Sequence, residues 1–202
     1  MTATAADPTG DGRVVIVSGA PRSGTSMLMQ MLRAGGVAPV TDGVREADGH
    51  NPRGYWEYEP VKTLASDHGW LMGLGGRAVK ITTPHIRHLP PDLDCRIIFM
   101  TRDLTAVARS QLRMARRPES EIDGAATRLM MDLAVTLDGL RRLFGAQVLE
   151  LAYESVLENP RTAAAELVRF LGRPLDESAM AAAVEPALRH AHARPSPAVA
   201  PS

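Results

Sequence analysis

Residues 13–17, "RVVIV", form a short apolar run that passes directly into "SGAPRSGTSM", Ser18 to Met27. A run this short and this apolar is the signature of a strand buried on both faces. Met27, Leu28, Met31 and Leu32 then recur at helical spacing, and "AGG" at Ala34 to Gly36 supplies a stop, so a helix begins near Gly24. Strand, glycine-rich turn and helix start, in that order, leave the chain few options. The turn must sit at the carboxyl end of the strand, with the first N–H groups of the helix aimed into it. Those groups have no partner inside the helix, and the helix dipole places about half a positive charge at the same point. An anion belongs there.

The residue types of the turn agree. Gly19 and Gly24 carry no Cβ and let backbone approach a phosphate closely, while Ser23, Thr25 and Ser26 add hydroxyl donors. Arg22 adds a permanent charge on a forked donor. The nucleotide-binding pattern Gly, four residues, Gly-Lys-Ser/Thr is nearly met, since Gly19 is followed by Gly24, Thr25 and Ser26, but its lysine is missing. Taken alone, the stretch is also compatible with a plain strand-to-helix turn.

Further strands are expected at residues 77–81, 96–100 and 147–151, each short, apolar and bounded by glycine or charge. They read as fully buried and therefore parallel. The longest helix runs from about Glu121 to Phe144, with Ile122, Ala126, Leu129, Leu133, Leu137, Leu140 and Phe144 as a core-facing stripe. In "ENPRTAAAELVRFLG", Pro160 marks a helix start and Gly172 its end. Strands interleaved with helices predict an α/β domain with a parallel sheet, whose ligands gather at the carboxyl ends of the strands. The domain is expected over residues 13–190, between a loose lead-in at 1–12, rich in Gly and Ala, and a disordered tail at 191–202, rich in Pro and Ala.

Two other patches fit an anion site. In "FMTRDLTAVARSQ", Arg102 follows a strand and Ser110 falls eight residues later, so a strand end and a helix two turns on can converge on one phosphate. Tyr153 follows the last strand at the same edge of the sheet. Together, "SGAPRSGTSMLMQML" and "TRDLTAVARS" resemble the 5′-phosphosulfate loop and the 3′-phosphate motif of the sulfotransferases that use 3′-phosphoadenosine 5′-phosphosulfate (PAPS). In that family the basic residue precedes the Ser-Gly, where Arg22 stands. "HNPRGYWEYEP", His50 to Pro60, is similar to a segment of bacterial members, and Tyr153-Glu154 to the family's Tyr-Glu near the adenine. Many cytosolic members have an adenine-stacking tryptophan where this chain has Met27, which leaves Trp56 as an alternative; their carboxyl-terminal "RKGxxG" element has no counterpart here.

The resemblance implies a P-loop-NTPase-like three-layer sandwich, with a central parallel sheet between helices, and in-line transfer of a sulfuryl group from PAPS to a hydroxyl or amine. The nucleotide would be held by Arg22, Ser23, Gly24, Thr25, Ser26, Arg102, Ser110 and Tyr153. Arg22 and the strand-end Lys80 are the cations for transfer, without metal. The proton of the acceptor falls to Glu57, a carboxylate beside Tyr55 and Trp56, or to His85; the family's histidine would align with Thr82. His50, His68 and His88 read as solvated or structural. The acceptor is a small molecule, glycan or lipid.

Composition is compatible with these expectations. Lys plus Arg and Asp plus Glu both total 23, so net charge gives no case for nucleic acid or an anionic membrane. The single cysteine, Cys95 in "CRIIFM", excludes an intrachain disulfide and a thiolate metal cluster and fits a buried strand. No run of 18 apolar residues and no leader pattern occurs, which points to a cytoplasmic protein. Two alternatives remain from sequence: a metabolite kinase with a degenerate loop, for which Asp103 is the metal-ligand candidate, and a noncatalytic nucleotide-binding relative.

Overall fold

The computed structural model describes residues 12–42 and 56–184. Four strands form one parallel sheet: β1 (Val14–Gly19), β2 (Ala78–Lys80), β3 (Cys95–Thr101) and β4 (Val148–Ala152), in the spatial order β2-β1-β3-β4. Among the described residues six α-helices accompany them: α1 (Thr25–Ala34), α2 (Leu104–Met114), α3 (Ile122–Phe144), α4 (Tyr153–Glu158), α5 (Pro160–Leu171) and α6 (Glu177–Ala182). The four expected strands and the expected helix starts all form. Pro160 opens α5, and Gly172, at φ 66°, closes it in the left-handed region that glycine adopts without strain.

Alternation along the inner strands divides the core in two. Val15, Val17, Ile98 and Met100 face one layer with Met27, Leu28, Met31 and Leu32 of α1 and Ala164, Leu167 and Leu171 of α5. Val14, Ile16, Ile97 and Phe99 face the other, with Leu140 and Phe144 of α3 and apolar residues of the 61–93 segment. Each fully buried Leu, Ile, Met or Phe contributes about 1.5–3 kcal/mol, so both layers are needed to hold β1 and β3. Register is set by pairs such as Ile16 with Ile97 and Val17 with Lys80.

Two expectations are modified. β4 is an edge strand, and of its five residues only Leu151 is buried. The stripe on α3 is core only in its second half. Leu133 and Leu137 pack on the sheet layer with Leu140 and Phe144, whereas Ile122, Ala126 and Leu129 pack with Ala108 and Leu112 of α2. Length is the reason: 23 residues of helix span about 34 Å, against about 17–23 Å for strands of five to seven residues. The first half of α3 therefore overhangs the carboxyl edge of the sheet. An Arg87–Asp132 ion pair of 2.6 Å marks that level, because Arg87 lies in the 3-10 turn His85–His88 that follows β2.

The order of the strands fixes where the loops meet. From β1 the chain builds β2 on one side and then β3 on the other, so the ends of β1 and β3 flank the point where strand order reverses. No helix among the described residues is long and apolar enough to cross a membrane. Cys95 is 0% exposed at the start of β3, and burial pushes its thiol up to about 12. Since the thiolate is the reactive form, Cys95 is expected to resist an aromatic disulfide reagent at pH 8 and to react within minutes once the chain is unfolded in guanidinium; the absorbance of the released thiolate measures both.

Candidate active site

The loop after β1 is built on conformations that few residues adopt. Gly19 has φ 140°, Arg22 has φ 76° and Gly24 has φ 104°. A Cβ on Gly19 would stand 2.5 Å from the carbonyl oxygen of Met100 and 2.6 Å from Ser23 Oγ, and one on Gly24 would stand 2.4 Å from Cδ2 of Tyr153. Both glycines are thus required by close approach as well as by φ. The Thr83 N–H donates to Gly19 O at 3.1 Å and the Ser23 N–H to Ala20 O at 3.0 Å, which fixes the two ends of the turn. Gly24 is the N-cap of α1 and supplies no side-chain acceptor, so the first-turn N–H groups open toward the loop.

Arg22, a non-glycine residue in the left-handed region, is held in place by a second layer. Arg102 Nη1 donates to Arg22 O at 3.0 Å, and Arg22 Nε donates to Ser110 Oγ at 3.0 Å. The Arg102 guanidinium lies 4.2 Å from the centroid of the Tyr153 ring. A cation–π contact of this kind contributes about 0.5–2 kcal/mol, more as it loses water. Burial raises the Tyr153 hydroxyl above its usual range, with Arg102 acting in the opposite sense. Arg102 and Ser110, 80 and 88 residues from Arg22, therefore both bond Arg22, one at its carbonyl and the other at its side chain.

Several expected residues take more specific positions. Tyr153 is 5% exposed and wedged between Gly24 and Arg102, so its ring backs the loop. Thr25 and Ser23 are buried, whereas Ser26 is half-buried. The oxygens of Ser18 and Ser23 and Nε of Arg102 are buried without a hydrogen-bond partner among the described residues. Three orphaned polar atoms around one turn fit a cradle for a polar ligand, since each alone costs about 1–3 kcal/mol. Lys80 ends β2 in register with Val17, and Ile81 N–H donates to Val17 O, so the lysine stands one strand away from the loop.

Of the two candidate bases, His85 follows the end of β2, and Glu57 lies beside the segment that flanks β2. His85 opens the turn that follows Thr83, the residue bonded to Gly19. Glu57 is held through its carbonyl, which accepts from Thr41 Oγ1 at 3.1 Å and from Asp42 N–H at 3.3 Å, beside the segment that pairs with Ala78. His50 to Tyr55 lie outside the described residues. Trp56 packs on the α1 layer with the Arg33 guanidinium 5.4 Å from its ring centroid, at the end of α1 opposite the loop. That position takes it away from the loop expected to hold the nucleotide. His68 and His88 are exposed. Asp103 acts as the N-cap of α2, accepting from the Ala106 N–H at 2.7 Å.

Sequence reasoning missed Gln111, whose Nε2 donates to Pro21 O at 2.8 Å. A neutral amide belongs to no phosphate motif, and only its place directly after Ser110 could have drawn attention to it. It also missed the Asp103 N–H donating to Glu154 at 3.2 Å, which ties the ends of β3 and β4.

A parallel sheet whose central strand feeds a glycine loop into a helix, with an arginine of the neighbouring strand buttressing that loop, is a P-loop-like α/β fold. Comparison narrows the class. Residues 82–177, which include Arg102 and Ser110, match the model of the sulfotransferase family. The same fold occurs in sulfotransferase STF9 from Mycobacterium avium (15% identity, 94% of this chain and 70% of that one, TM-score 0.57). It occurs also in mouse sulfotransferase SULT7A1 complexed with PAP (17% identity, 87% and 64%, TM-score 0.52). Retinol dehydratase in a complex with retinol and PAP is a third case (19% identity, 84% and 62%, TM-score 0.53). The chain thus spans less than two thirds of the last two proteins. No curated protein matches the sequence.

Gly24→Ala tests the loop architecture. It places a methyl against Tyr153 at a left-handed φ and is expected to cost at least about 1–3 kcal/mol in chemical denaturation. Gly36→Ala, also at positive φ but with no atom within 4 Å of the added Cβ, supplies the strain-only reference.

Proposed function

We propose that this protein transfers a sulfuryl group from PAPS to a hydroxyl or amine of a small acceptor. The observation that carries the proposal is the convergence of Arg102 and Ser110 on Arg22, because it unites two motif patches 80 residues apart at one turn. The family match over residues 82–177 and the sulfotransferase fold support it, as do the relatives crystallised with PAP, the desulfated product of PAPS.

In this scheme the loop N–H groups and Ser23, Gly24, Thr25 and Ser26 cradle the 5′-phosphosulfate, and Arg102 and Ser110, with Arg22 between them, take the 3′-phosphate. The unpartnered oxygen of Ser23 and Nε of Arg102 are suited to that role. Tyr153 acts from behind the loop by fixing Arg102. During transfer the acceptor oxygen or nitrogen bonds to sulfur as the bond between sulfur and the bridging oxygen breaks; that oxygen leaves on PAP with the electron pair. Lys80 and the loop N–H groups face the charge that gathers on the leaving oxygen. The acceptor proton passes to Glu57 or, failing that, to His85, which opens the turn after β2.

Calorimetric titration with PAP is expected to give one site per chain, and Arg102→Ala to weaken it by about 10- to 100-fold, the worth of one or two charge-assisted hydrogen bonds. Unchanged affinity in that variant would overturn the 3′-phosphate assignment. Stabilisation in thermal denaturation by Mg-ATP but not by PAP would overturn sulfuryl transfer altogether. Glu57→Gln is expected to keep PAP affinity within about twofold and to lower turnover by about 10²- to 10⁴-fold, as measured with labelled PAPS.

A further inference from the structure

A cavity of about 340 Å³ opens between α2 and the overhanging half of α3, lined by Gln111, Leu112, Ala115, Arg117, Ala125, Arg128, Leu129 and Asp132. That volume lies at the lower end of small-molecule sites. Two contacts place it beside the transfer site. Gln111 forms part of its wall and also donates to Pro21 O in the loop, while Asp132 at its other side pairs with Arg87, on the turn that carries His85. Any molecule lying in the groove is therefore bordered by the phosphate loop and by the turn after β2.

The walls state what the molecule must be. Leu112, Ala115, Ala125 and Leu129 offer apolar surface, and the same two helices expose Met114, Met130 and Met131 at 43%, 54% and 64%. Methionine surfaces adapt to varied apolar shapes. The charges are unbalanced: Asp132 is neutralised by Arg87 and Arg117 by Glu121, but Arg128 makes no hydrogen bond or ion pair among the described residues. Arg128 is thus, among the described residues, the unpaired cation of the groove, and a guanidinium beside apolar walls selects an anion with an apolar body.

Building on the transfer reaction proposed above, we infer that the acceptor is an amphipathic hydroxy acid, held in the α2–α3 groove with its carboxylate on Arg128 and its hydroxyl presented to the loop. The hydroxyl oxygen becomes the new bond to sulfur, its proton goes to the base, and PAP departs; the carboxylate is unchanged.

The test uses the full chain, labelled PAPS and a ladder of straight-chain ω-hydroxy acids with their methyl esters. At the best chain length the acid is expected to show a KM about five- to tenfold below that of its ester, the worth of one arginine–carboxylate contact. Arg128→Ala raises the KM of the acid to that of the ester and leaves kcat, the ester's KM and PAP affinity unchanged, whereas a structural defect would move all four. Equal use of acid and ester, an unaltered acid KM in Arg128→Ala, or PAP binding with no acid sulfated each overturns the groove assignment alone. Failure of PAP to bind overturns the transfer reaction, and this inference with it.

Discussion

The guanidinium of Arg102 is the joint on which the site depends. It leaves the carboxyl end of β3, lies against the Tyr153 ring at the end of β4, and donates to the carbonyl of Arg22 in the loop after β1. Three strand ends are bound through one planar cation. An arginine suits this place because its two faces can stack while its edge donates; a lysine would offer a point charge and no plane. The tyrosine in turn fills the space that Gly24 leaves, so glycine, ring and guanidinium form a sequence of contacts in which no member can be enlarged.

This joint also explains how a non-glycine residue occupies a left-handed conformation at the centre of the loop. The strain of such a residue, of the order of 1–3 kcal/mol, persists only where the surroundings over-determine it. Here the carbonyl of Arg22 is held by Arg102, its side chain by Ser110, and the preceding carbonyl by Gln111. An arginine at this point gains in exchange a direction: its guanidinium is turned toward α2, where it adds a second cation to that of Arg102.

The sheet was legible in sequence because its strands are short apolar runs with abrupt ends, and β1 and β3, buried on both faces, allow little else. The helix boundaries at Thr25, Pro160 and Gly172 were legible because glycine and proline act locally. Arg102 and Ser110 could be paired with the loop because charge and spacing survive in the linear text. What could not be read was anything set by distance through space. The overhang of α3 depends on strand length elsewhere, the burial of Tyr153 on a missing Cβ, and Gln111 on an amide whose partner is a backbone oxygen 90 positions away. The stripe on α3 looked continuous because periodicity records which residues are apolar and is silent on what they meet.

The overhang of α3 divides the molecule by what each part can tolerate. The half of α3 below the sheet edge shares its burial with β1 and β3, so changes there threaten the fold. The half above it packs through a small apolar set, Ala108, Leu112 and Ile122, against α2, with Asp132 tied to Arg87. Substitutions on that upper ledge reshape one wall of the groove while leaving the sheet untouched. Under the transfer reaction proposed above, natural variation there would revise the acceptor without revising the nucleotide loop, and a laboratory search for new acceptors would begin on the ledge.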